Sequence, residues 1–174
     1  MNKKLAAALS GGAVLVMMTT LTACGDSPEE KAQKEAEAWS KSYCPKEKAS
    51  LDKRQKADKT IADTTADGEP EDIKKADSAA IQQMVDADKE WITALRAAGA
   101  PPVKDGAASH KRMIQDLEKG ITAFTELKKQ SDALDTKDLG KFSKGLDKLG
   151  ADLGKATKVT NQRVFCPSNA GKTQ

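Results

Sequence analysis

A chain of 174 residues in which 32% of side chains are charged and only 3% aromatic has room for one domain, but must build a thin core from Leu, Ile and Ala. Its 29 Lys and Arg against 26 Asp and Glu form no basic footprint, which argues against a nucleic-acid partner. A single histidine and the lack of any Gly-x-Gly-x-x-Gly or Gly-x-x-x-x-Gly-Lys-Ser/Thr run leave neither a His-rich metal centre nor a phosphate-cradling loop.

Residues 1–23 read as an export signal. Lys3 and Lys4 give a positive start, residues 5–22 are apolar apart from Ser10-Gly11-Gly12, and small residues lead into Cys24. An ordinary signal peptidase cutting after Ala23 would meet the bulky Leu21 at the third-last place, where a small residue is preferred. An uncleaved span is disfavoured too, because the run barely reaches the roughly 20 residues a bilayer needs and holds two glycines. Leu21, Thr22, Ala23 and Cys24 resemble, residue for residue, the lipobox of bacterial lipoproteins. That resemblance implies removal of residues 1–23 and attachment of diacylglycerol and acyl lipid (palmitate) to Cys24. It places the protein on the extracytoplasmic face of the cell membrane, with membrane lipid as its first partner and no other cofactor. Each buried methylene contributes about 0.8 kcal/mol, so two or more chains hold stably. The mature chain loses Lys3 and Lys4 and carries a net charge near +1.

Residues 25–34 are small, polar and charged and read as a tether. From Pro28 the composition favours a lead-in helix, with Ser27 as N-cap and Pro28 at the first helical position, so that residues 24–43 comprise lipidated cysteine, tether and lead-in. Pro45 predicts a kink or restart near Cys44. A second helical segment follows to about residue 66 with only Leu51 and Ile61 as large apolar positions, the least secure element of the chain. Gly68 and Pro70 are placed to end it and to begin the next helix.

The clearest periodicity lies in residues 70–98, where Ile73, Ala80, Met84, Ala87, Trp91, Leu95 and Ala98 mark one helical face. Gly99-Ala100-Pro101-Pro102 breaks the chain. A third helix to residue 134 repeats the steps with Ala107, His110, Ile114, Leu117, Ile121, Phe124, Leu127 and Leu134. Asp135, with Asp138 three residues on, can cap a last helix whose stripe is Leu139, Phe142, Leu146, Leu149, Leu153 and Ala156, running on towards Arg163. Gly140, Gly145, Gly150 and Gly154 interrupt it at up to about 1 kcal/mol each relative to Ala. They read as tolerated glycines or as points of close approach. Residues 167–174 read as a disordered tail.

With Cys24 lipidated, Cys44 and Cys166 remain, an even pair that reads as a disulfide outside the cell. Two free thiols or a metal pair are the alternatives, and a single His makes a poor zinc site. An all-α, up-down-up-down four-helix bundle over residues 44–166 brings both cysteines to one end. The same end collects Trp39, Tyr43 and Phe165, a candidate binding patch or a small satellite core around the bridge. His110 falls on the third helix's apolar stripe and could line a small-ligand site in the bundle core. No acid pair, nucleophile turn or metal spacing points to catalysis, so the chain reads as no enzyme.

The whole is similar to the small secreted lipoproteins of high-GC Gram-positive bacteria. The carrying features are the lipobox, the WSKSYC run from Trp39 to Cys44, the AGAPPV run at 98–103, Leu134-Asp135-Thr136 and the closing Cys166. The resemblance supplies no catalytic residues. It implies little about function; the chain as a whole reads as a membrane-anchored monomer that meets an envelope protein or cell-wall partner as a non-catalytic interaction module.

Overall fold

The computed structural model describes residues 27–64, 68–160 and 165–166. These form four helices, α1 (Pro28–Thr64), α2 (Pro70–Ala98), α3 (Gly106–Asp132) and α4 (Leu139–Thr160), and no strand occurs among the described residues. Residues 21–24 and the 167–174 tail lie outside them.

The start of α1 follows its sequence signals. The Ser27 Oγ accepts from the Glu30 N–H at 3.2 Å, and the Glu30 carboxylate accepts from the Ser27 N–H at 2.9 Å. This reciprocal box satisfies two of the orphan donors at the helix start. Residues 28–34, expected in part as tether, are therefore helical. The restart expected at Pro45 does not occur either, because α1 runs through it as one helix of 37 residues. Pro45 forfeits one i→i−4 bond, but it and Lys41 are both exposed, so water can take the freed carbonyl.

Cross-helix bonds establish an up-down-up-down order. Trp39 near the start of α1 meets Gly99 past the end of α2, while Lys53 pairs with Glu90. Lys74 on α2 donates to the Leu134 carbonyl beyond α3, and Arg96 pairs with Glu118. Lys148 on α4 reaches Gln130 on α3. Each helix packs against its sequence neighbour, and the Cys44–Cys166 disulfide, with Cα atoms 5.6 Å apart, closes the bundle across 122 residues.

Two apolar clusters fill the bundle. At the upper end Ala57, Ala80, Ile81, Met84, Phe124, Leu127, Leu149 and Ala156 draw on all four helices. At the lower end Tyr43, Trp91, Ile92, Leu95, Met113 and Leu117 pack with Trp39 and Phe165. The α2 stripe is buried as its spacing predicts and is widened by Ile81, Val85 and Ile92. On α3 the buried face is rotated towards Met113, Leu117, Gly120 and Phe124, leaving Ala107 exposed.

The turn into α4 also departs from expectation. Asp135 spends its Oδ1 on the N–H groups of Lys137 and Asp138, so the cap falls to Asp138, whose Oδ1 accepts from the Lys141 N–H at 3.1 Å. Leu139, expected in the stripe, is exposed at the first turn. Of the four glycines of α4, only Gly145 is crowded, with Leu134 Cδ2 of the α3–α4 turn 2.4 Å from where a Cβ would stand. Nothing lies within 4 Å of that position at Gly150 or Gly154.

Candidate functional site

The lower end of the bundle is built around the disulfide. Tyr43 and Trp39, one helical turn apart on α1, stack at 4.6 Å between ring centroids, and Phe165 meets Trp39 edge-on at 5.7 Å and Tyr43 at 6.2 Å. The expected gathering of the three aromatics is present. Tyr43 is fully buried, and Trp39 and Phe165 are half-buried. The rings spend their faces on one another and on the bridge, the geometry of a satellite core. Their polar atoms are spent too. The Trp39 indole N–H donates to the Gly99 carbonyl at 3.0 Å, and that of Trp91 donates to the Tyr43 hydroxyl at 2.6 Å.

Above this lies a feature that apolar periodicity does not register. The buried residues of α1 are Tyr43, Glu47, Ser50, Arg54 and Ala57, which step by fours and threes as an apolar stripe would. The seam of α1 is helical in spacing and polar in composition. The Glu47 carboxylate, 1% exposed, accepts the N–H groups of Phe165 at 3.2 Å and Cys166 at 3.1 Å. It also hydrogen-bonds the Tyr43 hydroxyl, whose pKa rises well above the usual phenol range. Burial is the main cause; the Trp91 bond opposes it and the nearby Glu47 charge adds to it.

Two turns further along α1, Arg54 approaches Asp88 of α2, with Nη1 3.5 Å from Oδ1 and both side chains nearly inaccessible. The Arg54 guanidinium also lies over the Phe124 ring of α3, 5.6 Å from its centroid, a cation–π contact out of water. Burial pushes Asp88 up to about 6 against the opposing pull of Arg54. Asp58 is raised by burial and likewise held back by Arg54. Asp77, also buried in α2, is pushed up to about 6 by desolvation.

The two buried acids of α2 stand far apart. Asp77 and Asp88 share one helix eleven residues apart, about 16 Å along its axis. Two carboxyls that work on one bond stand roughly 5–9.5 Å apart. Among the described residues no three His, Cys, Asp or Glu side chains gather to hold a metal ion, and no helix is long and apolar enough to cross a membrane.

His110 sits half-buried at the start of α3 with Nε2 2.9 Å from the Leu95 carbonyl. A carbonyl only accepts, so Nε2 carries a proton. Leu95 O also accepts from the Gly99 N–H at 3.0 Å. His110 thus helps to close the carboxyl end of α2.

The sequence pointed to the two cysteines, the aromatics and His110, and it missed Glu47, Arg54, Asp77 and Asp88. Their signal was their spacing. Each charged residue occupies a position in a 3–4 stripe that an apolar residue would otherwise fill. Comparison with protein-family models, with curated proteins and with solved structures returns no match.

Proposed function

We propose that this chain is a lipid-anchored extracytoplasmic protein whose helical bundle serves as a non-catalytic interaction module at the cell envelope. The observation that carries the reading is the pairing of Cys44 with Cys166. With three cysteines in the chain, that pairing leaves Cys24, inside the lipobox-like Leu21-Thr22-Ala23-Cys24, as the remaining thiol. A disulfide fits an oxidising compartment, and an export leader fits the same address. Glu47 holds the backbone of Phe165 and Cys166, and Arg54 pairs with Asp88, roles that support a scaffold. The surface is a mixed field of Lys and acid pairs, suited to a polar envelope protein or cell-wall partner met by a monomer.

The test is metabolic labelling with an alkyne palmitate analogue in a bacterial host, followed by fractionation. Wild-type protein is expected to carry label and sediment with membranes, whereas Cys24→Ala is unlabelled and fails to sediment with them as the mature form. Unlabelled wild-type protein would overturn the anchor.

A further inference from the structure

Both tryptophans and the single tyrosine of the chain end in one contact group. Trp39 and Tyr43 come from α1 with ring centroids 4.6 Å apart, and Trp91 comes from α2 with its indole nitrogen 2.6 Å from the Tyr43 hydroxyl oxygen. Indole and phenol are the aromatic groups from which a strong one-electron oxidant takes an electron; the phenyl ring of Phe holds its own too tightly. Tyr43 and Trp91 are fully buried, whereas Trp39 is half-buried, so an oxidant in water meets the group at Trp39.

The fate of the proton decides where the missing electron settles. A phenol gives up an electron readily when its proton leaves with it, and the proton leaves most easily to an acceptor already hydrogen-bonded to it. Tyr43 has such an acceptor. Trp91 donates to the phenol oxygen, which leaves the phenol's own hydrogen to be donated onward, and the Glu47 carboxylate one turn along α1 accepts it. Glu47 is itself buried and is held by the N–H groups of Phe165 and Cys166, so it stays beside the phenol. Trp39 has no comparable base. Its indole N–H donates to the Gly99 carbonyl at 3.0 Å, and an amide oxygen is too weak a base to keep the proton.

We propose that Tyr43, with Glu47 as its proton acceptor and Trp39 as its point of entry, is a one-electron redox site that draws oxidising equivalents off the protein surface. An inorganic radical oxidant, such as the azide radical, takes an electron from Trp39 and becomes its anion, leaving the Trp39 radical cation. Tyr43 then passes an electron to Trp39 while its phenolic proton moves to Glu47. The products are neutral Trp39, the Tyr43 phenoxyl radical and the Glu47 carboxylic acid. The Trp91 N–H remains on the phenoxyl oxygen. A one-electron reductant, ferrocyanide in the laboratory, returns the electron, and the proton on Glu47 goes back to the phenol oxygen, so the protein is restored unchanged. The site needs no lipid on Cys24 and is independent of the anchor reading.

The test is pulse radiolysis of the full chain with the azide radical, with Cys44–Cys166 oxidised and Cys24→Ala removing the free thiol as a competing donor. The broad absorption of the tryptophanyl radical is expected to give way, at a rate independent of protein concentration, to the sharp band of a tyrosyl radical. With one tyrosine in the chain that band belongs to Tyr43. The second phase is expected to be slower in heavy water, because a proton moves with the electron. Glu47→Gln keeps an oxygen for the Phe165 and Cys166 N–H groups but is no base, and is expected to slow that phase by about a hundredfold or more. A tryptophanyl radical that decays without a tyrosyl band overturns the site, and this measurement needs no substitution in the aromatic group. A tyrosyl band that forms as fast in heavy water, or in Glu47→Gln, overturns the role given to Glu47.

Discussion

Glu47 grips the backbone of Cys166: its Oε1 accepts the Cys166 N–H at 3.1 Å, three residues along α1 from the cysteine to which Cys166 is bonded. The carboxylate and the bridge therefore hold the same short segment, one by hydrogen bonds to buried N–H groups and the other covalently. Removing the acceptor leaves those donors unpaired.

Glu47→Ala is expected to destabilise the oxidised protein by about 2–3 kcal/mol, the range for hydrogen bonds to a charged group. After reduction the segment is no longer fixed beside Glu47, so the cost is expected to fall by at least about 1 kcal/mol. Urea unfolding of wild type and Glu47→Ala, each with and without dithiothreitol, measures the four corners. Reduction of wild type alone is expected to cost up to about 4–5 kcal/mol for a loop of this length. An equal cost of Glu47→Ala in both redox states would show that it does not act through Cys166.

Much of the architecture was legible in the sequence because α2 writes it in apolar residues: Ile73, Met84, Trp91 and Leu95 specify a face, and 99–102 a break. The cysteine pair was legible because two cysteines remain once Cys24 is assigned to lipid and they allow one connectivity, with which an up-down-up-down order agrees. The seam of α1 was not. Glu47, Ser50 and Arg54 are polar, and the partners of Glu47 and Arg54 lie 119 and 34 residues away, which local periodicity cannot supply. Tyr43 was legible as a member of the aromatic group at the bridge, but its bond to Trp91 of another helix was not. Pro45 read as a break because its loss of a bond is local, whereas the packing of Tyr43 and Glu47 that holds the helix through it is not.

The two buried acids of α2 predict an unusual pH dependence. Asp77 and Asp88 titrate near 6 in the folded protein against 3.8 when unperturbed, so the folded state binds their protons more tightly. Stability is then greatest below the unfolded value and is lost as pH rises through about 6. Each group accounts for roughly 3 kcal/mol, an order-of-magnitude figure from a two-unit shift. Asp132, Asp138 and Asp152 are held low, chiefly by hydrogen bonds from Lys128, Lys141 and Lys155, and their contribution is lost only as pH falls below the usual carboxylate range. The melting temperature is expected to rise from pH 8 to about pH 5 and to fall again in stronger acid. Asp77→Asn removes one buried charge and is expected to raise the melting temperature at pH 8 and flatten the slope between pH 5 and 7.

Arg54 opposes the rise of Asp88 and covers Phe124. Arg54→Met keeps the length of the side chain and removes the charge, leaving the Asp88 carboxylate buried without its cation. The expected loss at pH 8 is about 3–5 kcal/mol. At pH 5 Asp88 is largely protonated and needs no counter-ion, so the loss is expected to shrink. Denaturant melts of wild type and Arg54→Met at the two pH values test this, and a cost that does not change with pH excludes the ion pair as its source.

Gly150 and Gly154 of α4 differ from Gly106 in what surrounds them, and alanine substitution separates the two cases. At Gly150 and Gly154 a Cβ meets nothing within 4 Å, and both positions lie inside a helix. Ala there gains helix propensity without a clash, so each of Gly150→Ala and Gly154→Ala is expected to stabilise the protein by up to about 1 kcal/mol. At Gly106 a Cβ would stand 2.1 Å from the Pro101 carbonyl oxygen. That neighbour is the backbone of buried Pro101, so it can yield only by moving the α2–α3 connection, and Gly106→Ala is expected to cost more than about 1 kcal/mol. Thermal melts of the three single variants decide the matter. If Gly150→Ala and Gly154→Ala are destabilising instead, those positions have a close neighbour that the isolated bundle does not supply, and the exposed face of α4 becomes the place to search for a partner helix.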